Sequence, residues 1–341
     1  MTNTKWKAMG RFLYKYMPLR GDFFINPMIR ATPAVALNDP FEGNLILDQV
    51  RDADRNQAEY YKSNGHASEQ ADEHTLMDLM GIIQADLSDL GILAFTEDHN
   101  NPLMWAHYAD QHRGVVVEFD FAQPFFMDSL KVVDGRQSRF GKDPLGEVYE
   151  FPEKVDYRFD FPNFRRAESS APDSMSDYHW KKFHRGVLFT KANEWIYEKE
   201  QRTVVRLRDA DVIICDNNEQ VRKLCREHPS IVLTDEKEIG DRKRMRITYP
   251  NEYEMHEDMA DESVKAEIYH LTSNFAEPAI HLFRINPRAI SAVYFGCKAD
   301  HLPALENIRN NPSLSTLKHI YEMRVSQSHY RLEALDIEMH R

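Results

Sequence analysis

Glycine is scarce in this chain, 13 in 341 residues, and nowhere do the glycines fall into a Walker loop, a GxGxxG turn or a GxSxG elbow. That argues against a nucleotide site built on a Gly-rich phosphate loop and against a serine nucleophile raised on a strand–helix elbow. Cysteine is scarcer still. Cys215, Cys225 and Cys297 are odd in number and lack metal-like spacing, which argues against a disulfide framework and fits a reducing compartment. The pairs His107/His112 and His179/His184 are five residues apart, where two ligands on one helix face need three or four, so no metal is expected. No apolar run reaches 18 residues and mean hydropathy is −0.61, so neither a membrane span nor a membrane partner is expected. The basic first 20 residues lack the apolar stretch and cleavage site of a secretory signal. A cytoplasmic protein of bacterial style is the expectation.

Basic charge is also in deficit. The formal net charge of −12 excludes a protein coated in positive charge for duplex binding. The acidity is localised, however. Residues 48–98 hold 12 acids against 3 bases and residues 252–267 hold 7 against 1, while the first 20 residues hold five bases and no acid. The remainder of the chain is mildly basic, which leaves room for a local cleft that takes phosphate.

What is present is a core: 42% hydrophobic and 11% aromatic residues exclude disorder over most of the chain. With no repeat and no low-complexity linker, residues 1–341 are expected to form a single elaborated domain, with a helical insert at about 48–90 and an acidic elaboration at about 252–267. Leu76, Leu79, Met80, Ile83, Leu87 and Leu90 recur at helical steps. Strands are predicted at RFLYKY (11–16), ILAFT (92–96), GVVVEFD (114–120), EVYEF (147–151), KVDYRF (154–159), GVLFTK (186–191), QRTVVRL (201–207) and in the C-terminal AIHLFRI, ISAVYFG, HIYEMRV and YRLEALDI. Asn101-Pro102 predicts the start of a short helix, and Ser174–Arg185 and 302–310 also read as helices. Residues 209–267 read as polar, with one weak helix near 219–226. Without a regular βαβ beat, the class is α+β: a central mixed, largely antiparallel sheet with flanking helices.

Four segments concentrate chemistry. Tyr14-Lys15-Tyr16 is either a functional strand or an amphipathic edge strand with two packed tyrosines. Asn38-Asp39-Pro40-Phe41-Glu42 is at least an Asx-type turn. Met104–Asp110 carries Trp105, His107 and Tyr108 on a short helix, where Trp105 suits core packing and His107 is open to either role. In Lys191–Arg202, Glu194, Glu198 and Glu200 crowd against Lys191, Lys199 and Arg202. If 198–200 is extended, Glu198 and Glu200 point to one face and raise one another's pKa unless cations intervene. The plain alternative is a solvated charge run.

In order, LYKY, ALNDPFEG, MWAHYADQHRGVVVEFD, FTKANEWIYEKEQR and AISAVYFGCKAD resemble the bacterial family of unknown function DUF2971 over about residues 11 to 335. More loosely, the arrangement resembles ADP-ribosyltransferase-like toxins, which pair a polar or basic residue in an opening strand with a central aromatic segment and a late Glu-x-Glu. That second resemblance implies an NAD-consuming effector acting on a protein or nucleic-acid acceptor, in a toxin or phage-defence setting with an antitoxin or defence partner. Glu200 would stabilise an oxocarbenium-like charge, Glu198 would orient the acceptor or accept its proton, and His107 is the third catalytic candidate. Tyr14, Tyr16, Trp105, Tyr108 and Trp195 would stack the NAD rings. Lys15, Arg30 or Lys191 would hold the pyrophosphate, with Asn38, Asp39 and Arg202 completing the cofactor site. Two rivals stand beside it: a non-catalytic sensor or interaction module in which the charges form a structural network, and a metal-dependent nuclease using the same carboxylates.

Overall fold

The computed structural model describes residues 12–127, 152–164, 178–239, 242–250, 262–273, 279–317 and 319–337. In chain order the elements begin with β1 (Phe12–Met17), β2 (Met28–Pro33), α1 (Leu47–Ser63), α2 (Glu73–Ser88), β3 (Leu90–Thr96), α3 (Pro102–Tyr108) and β4 (Val115–Asp120). Next come β5 (Glu153–Lys154), β6 (Asp156–Arg158), α4 (Tyr178–Leu188), β7 (Thr190–Ala192), β8 (Glu200–Arg206) and β9 (Val212–Asp216). The remainder is α5 (Glu219–Glu227), β10 (Val232–Ile239), β11 (Arg242–Thr248), α6 (Glu262–Thr272), β12 (Ile280–Arg284), β13 (Ile290–Phe295), α7 (Leu302–Asn310), β14 (His319–Val325) and β15 (Leu332–Asp336). The fold is α+β. One mixed sheet runs β10-β11-β9-β12-β2-β3-β1-β4-β13-β14-β15, with β8 on the free edge of β3 and β5 on β8. Its pairings are antiparallel except β13–β14, which α7 joins as a crossover.

Strand β3 is the junction. One edge pairs with β8 along its whole length, Leu90↔Arg206 to Thr96↔Glu200. The other edge is shared: β2 takes Ile92 and Gly91, and β1 takes Thr96 through Tyr14. The sheet therefore forks between β1 and β2. Lys15 reaches into the fork, and its Nζ donates to the carbonyl of Ala94, between the two pairing points, at 2.8 Å. A backbone acceptor left bare by the divergence is thereby satisfied.

Helices cover this sheet where the sequence supplies apolar stripes. Leu76, Ile83 and Leu87 of α2 pack with Val50 of α1, Phe183, Val187 and Leu188 of α4, and Ile92 and Val204 of the sheet. The helical stretch expected at about 48–90 is two helices ending at Ser88, with Leu90 already in β3, and the second is capped by Asp72, which accepts from the Thr75 amide at 2.8 Å. α3 starts at Pro102 as predicted, with Asn101 accepting from the Leu103 amide at 3.0 Å.

Three readings are corrected. GVLFTK is not one strand: α4 runs to Leu188 and only Thr190–Ala192 is extended. Helix wins there because Phe183, Val187 and Leu188 line one face against α1 and α2, and because Gly186 lets Phe164 approach to where a Cβ would stand 2.5 Å from its ring. The stretch 209–267 holds β9, β10 and β11 beside its helix near 219–226. Glu262–Thr272 at the end of the acidic elaboration is helical. EVYEF, residues 174–177 and residues 252–261 lie outside the described residues, and β5 and β6 pair with β8 and β7 rather than with a preceding strand.

Candidate functional site

Glu198 ends a 3₁₀ helix, Asn193–Glu198, and Glu200 opens β8. They are not consecutive positions of one extended strand. Lys199 between them is left-handed, φ 46° and ψ 45°, and this turn swings both carboxylates inward. They meet Lys191, whose Nζ donates to Glu198 Oε2 at 2.5 Å and to Glu200 Oε2 at 2.9 Å, and lies 3.1 Å from Glu42 Oε1. Arg202 closes the cluster from the other side. Its Nε donates to Glu200 Oε1 at 2.6 Å, its Nη2 to Glu200 Oε2 at 3.0 Å and to Glu42 Oε2 at 2.7 Å, and its Nη1 to the Leu188 carbonyl at 2.7 Å. Every one of these side chains is buried, Arg202 to 0% residual exposure. The result is a five-membered network of three carboxylates and two cations.

Outer contacts hold it in place. Tyr108 of α3 donates its hydroxyl to Glu198 Oε1 at 2.5 Å, and Asn38 sits beside that hydroxyl. The Trp195 ring lies 5.0 Å under the Lys191 ammonium, a cation–π contact. The Glu200 amide donates to Tyr157 Oη at 2.7 Å. Asp39 forms the turn the sequence predicts: Oδ1 accepts from the Phe41 amide at 2.9 Å, and Oδ2 from the Ala192 amide at 3.4 Å, which ties the Glu42 turn to β7.

The same burial acts differently on the three carboxylates. Burial would raise Glu200, but Arg202 and then Lys191 outweigh it and hold its pKa at about 2. Burial pushes Glu42 up against the pull of Arg202 and Lys191, and it pushes Glu198 up against Lys191, with Glu200 adding repulsion in both cases. Lys191, despite burial, is raised by Glu200, Glu42 and Glu198. One carboxylate is therefore fixed as an anion while two neighbours lean toward protonation.

A cavity of about 320 Å³ opens against this network, with Glu42, Lys191 and Asp39 in its wall. Phe41, Phe159 and Phe161 also line it and are 60%, 83% and 43% exposed, so the mouth presents apolar rings to solvent. Its charged lining is Asp39, Glu42, Asp160 and Glu194 against Arg158 and Lys191. A negative, aromatic-rimmed cavity suits a cationic or neutral ring and repels free phosphate.

The expected residues therefore divide. Glu198, Glu200, Lys191, Arg202, Tyr108, Trp195, Asn38 and Asp39 come together. Tyr14 and Tyr16 do not join them. Tyr14 sits over Glu118, its ring 5.0 Å from that of His99 and 6.2 Å from that of Tyr294, and the Tyr16 hydroxyl donates to the Asp98 carbonyl at 2.9 Å. Trp105 is 0% exposed, packed edge-on against Tyr16 and donating to the His99 carbonyl at 3.0 Å, which is core packing. His107 is exposed on α3, its ring beside that of Tyr108. Lys15 fills the fork, and neither it nor Arg30 lines the cavity. Lys191 does line the cavity, but its ammonium is shared among three carboxylates. Glu42 belongs to the ALNDPFEG motif, but nothing local in the sequence links it to residues some 150 positions away. Among the described residues no group of three His, Cys, Asp or Glu side chains is placed to hold a metal ion, and no helix is long and apolar enough to cross a membrane.

Fold and site together define a mixed-sheet α+β protein built around a buried carboxylate–cation network. Residues 104–203 match the family model described as Protein of unknown function (DUF2971). The matched segment runs from α3 to β8 and carries Tyr108, Lys191, Glu198, Glu200 and Arg202, so it includes all of the network except Glu42. No curated protein and no solved structure matches the chain.

Proposed function

We propose that the chain is an ADP-ribosyltransferase-like enzyme that takes NAD and transfers its ADP-ribose to a macromolecular acceptor, with the cationic nicotinamide end seated in the cavity beside Lys191 and Glu42. The observation that carries this reading is the divergence of carboxylates within one network: Glu200 held ionised at about 2, Glu198 and Glu42 pushed up. Groups pushed apart in this way divide acid–base work between them. In the reaction, the bond between the ribose C1 and the nicotinamide nitrogen breaks and its electron pair neutralises the ring cation. The acceptor's hydroxyl or amine bonds to C1, and its proton passes to Glu198, aligned by Tyr108. Glu200, already holding Arg202 and Lys191, sets the field and the geometry around the sugar and is a positioning residue. A toxin or phage-defence role belongs to this reading.

A second reading rests on a specific observation too. Both Glu200 oxygens are taken by Arg202 and Lys191, and Arg202 is wholly buried, the pattern of a network that fixes a fold in a non-catalytic sensor or interaction module. One experiment separates the two. The protein is incubated with labelled NAD and cell lysate, alongside Glu198→Gln, and melting temperatures are recorded. Labelling by the wild type that is lost in a normally melting Glu198→Gln supports the enzyme. Absence of labelling by the wild type, with a large melting shift in Glu198→Gln, supports the module.

A further inference from the structure

Strand β11 reads Arg242-Lys243-Arg244-Met245-Arg246-Ile247-Thr248. Alternation sends Met245 and Ile247, both 0% exposed, into the core, and puts Arg244 and Arg246 on the opposite face. Register carries that face across the sheet: Arg246 is opposite Ile214 on β9, Ile214 is opposite Ile280 on β12, and Leu282 of β12 is opposite Arg30 on β2. Met28, Val212 and Leu282 form an apolar floor here. Arg246 lies across it, its Nη2 reaching Met28 Sδ at 3.9 Å although β9 and β12 stand between their strands. Arg20, in the turn before β2, comes from the other side and donates to the Met28 carbonyl at 3.4 Å. Arg244 Nη2 donates to the Ile214 carbonyl at 2.9 Å.

Guanidinium groups from two other segments, Arg20 before β2 and Arg244 on β11, thus stand near Arg30. Nε of Arg30 and Nε of Arg244 are both buried without an acceptor. Asp216 stands 3.9 Å from Arg244 Nε with its side chain 53% exposed, while Asp211 is engaged by the amide and guanidinium of Arg284. Burial, then Arg244, then Arg20, lower the Arg30 pKa, the mutual repulsion that a bound anion relieves. Planar guanidinium forks gathered beside an apolar floor, two of them with a buried Nε that lacks an acceptor, match tetrahedral oxyanions with two or more charges.

We propose that Arg20, Arg30 and Arg244, with Arg246 alongside, form a binding site for a multiply charged phosphate group of the kind a nucleotide's pyrophosphate presents. It lies outside the carboxylate-lined cavity, and its occupancy does not depend on any reaction there.

The test is calorimetric titration of inorganic pyrophosphate into the full-length protein at low salt, with Arg30→Gln, Arg30→Lys, Arg20→Gln and the cavity-lining Arg158→Gln. Pyrophosphate should bind the wild type and Arg158→Gln alike, at least tenfold more weakly to Arg30→Gln and Arg20→Gln, and with intermediate affinity to Arg30→Lys, which keeps the charge but not the fork. Arg20 is half-buried and holds a single carbonyl, so its variant keeps the test decisive if Arg30→Gln does not fold. Absence of binding at millimolar pyrophosphate, or equal affinity in wild type and folded Arg20→Gln, overturns the proposal. So does binding of a single-stranded oligonucleotide that pyrophosphate fails to displace, which would make the face a backbone track instead.

Discussion

Lys191 and Glu198, seven residues apart in the chain, meet at 2.5 Å in the core, and the same ammonium holds Glu200 at 2.9 Å and Glu42 at 3.1 Å. One lysine thereby joins three parts of the molecule: the Asp39 turn, the 3₁₀ helix and the first residue of β8. Arg202 repeats two of those links from the opposite side. The sheet's β8 edge and the turn beyond β2 are locked together by charge, and the cavity opens against that lock.

Removing one member should be costly. Arg202→Met leaves Glu42 and Glu200 buried with Lys191 as their remaining cation. Uncompensated buried charge of this kind costs about 3–5 kcal/mol, enough to threaten folding of an ordinary domain. Chemical denaturation should show that loss, and the double variant Arg202→Met with Glu42→Gln should recover part of it. If Arg202→Met unfolds at the wild-type denaturant concentration, the network contributes little to stability.

The carboxylates also predict opposite pH behaviours. Glu200 is depressed from 4.5 to about 2, so its contribution is full above pH 4.5 and is lost as pH falls from there toward 2. Glu42 and Glu198 are raised, so their contribution is full below pH 4.5 and is lost as pH rises through their folded values. Relative to wild type, Glu200→Gln should flatten the acid limb of a stability profile, and Glu198→Gln the limb above pH 4.5. Denaturation midpoints between pH 3 and 8 for the two variants check the signs separately.

How much of this was legible in the sequence is clearest at the residues themselves. The crowding of Glu198 and Glu200 near Lys191 and Arg202 could be read directly, because all lie within twelve positions. The reason they converge could not, since it rests on the left-handed turn at Lys199 rather than on strand alternation. Glu42 joins through tertiary contact alone. Strand β11 was readable, with Met245 and Ile247 alternating against Arg244 and Arg246, but the density of charge masked the period. Trp105 illustrates the converse: a recognisable motif residue whose whole surface is spent on packing and one backbone bond.

Lys15 gives a cleaner titration. Burial lowers its pKa from 10.5 to about 8, so the unfolded chain holds that proton more tightly and Lys15 costs stability below pH 8 that is regained between 8 and 10.5. Lys15→Met should therefore gain on the wild type at pH 7, by less than the full desolvation term because the Ala94 carbonyl loses its donor. The gap between the two melting temperatures should narrow from pH 8 to pH 10. A gap independent of pH would mean that Lys15 keeps its ordinary pKa in the fork.

Lys199 tests the geometry that brings the carboxylates together. Its φ of 46° costs a side-chain-bearing residue about 1 kcal/mol, and the compensating Lys199–Asp98 ion pair at 3.0 Å is half-exposed and weak. Glycine adopts this conformation freely but adds entropy to the unfolded chain, so Lys199→Gly should leave stability within about 1 kcal/mol of wild type. Lys199→Val, with a β-branched side chain opposed to the turn, should lose more than that. If the turn sets the network, Lys199→Val should also move Glu198 and Glu200 off Lys191, and the pH profile of its stability should lose the acid limb assigned to Glu200. A valine variant as stable as glycine, with the wild-type profile intact, would show that the network holds its shape without the turn.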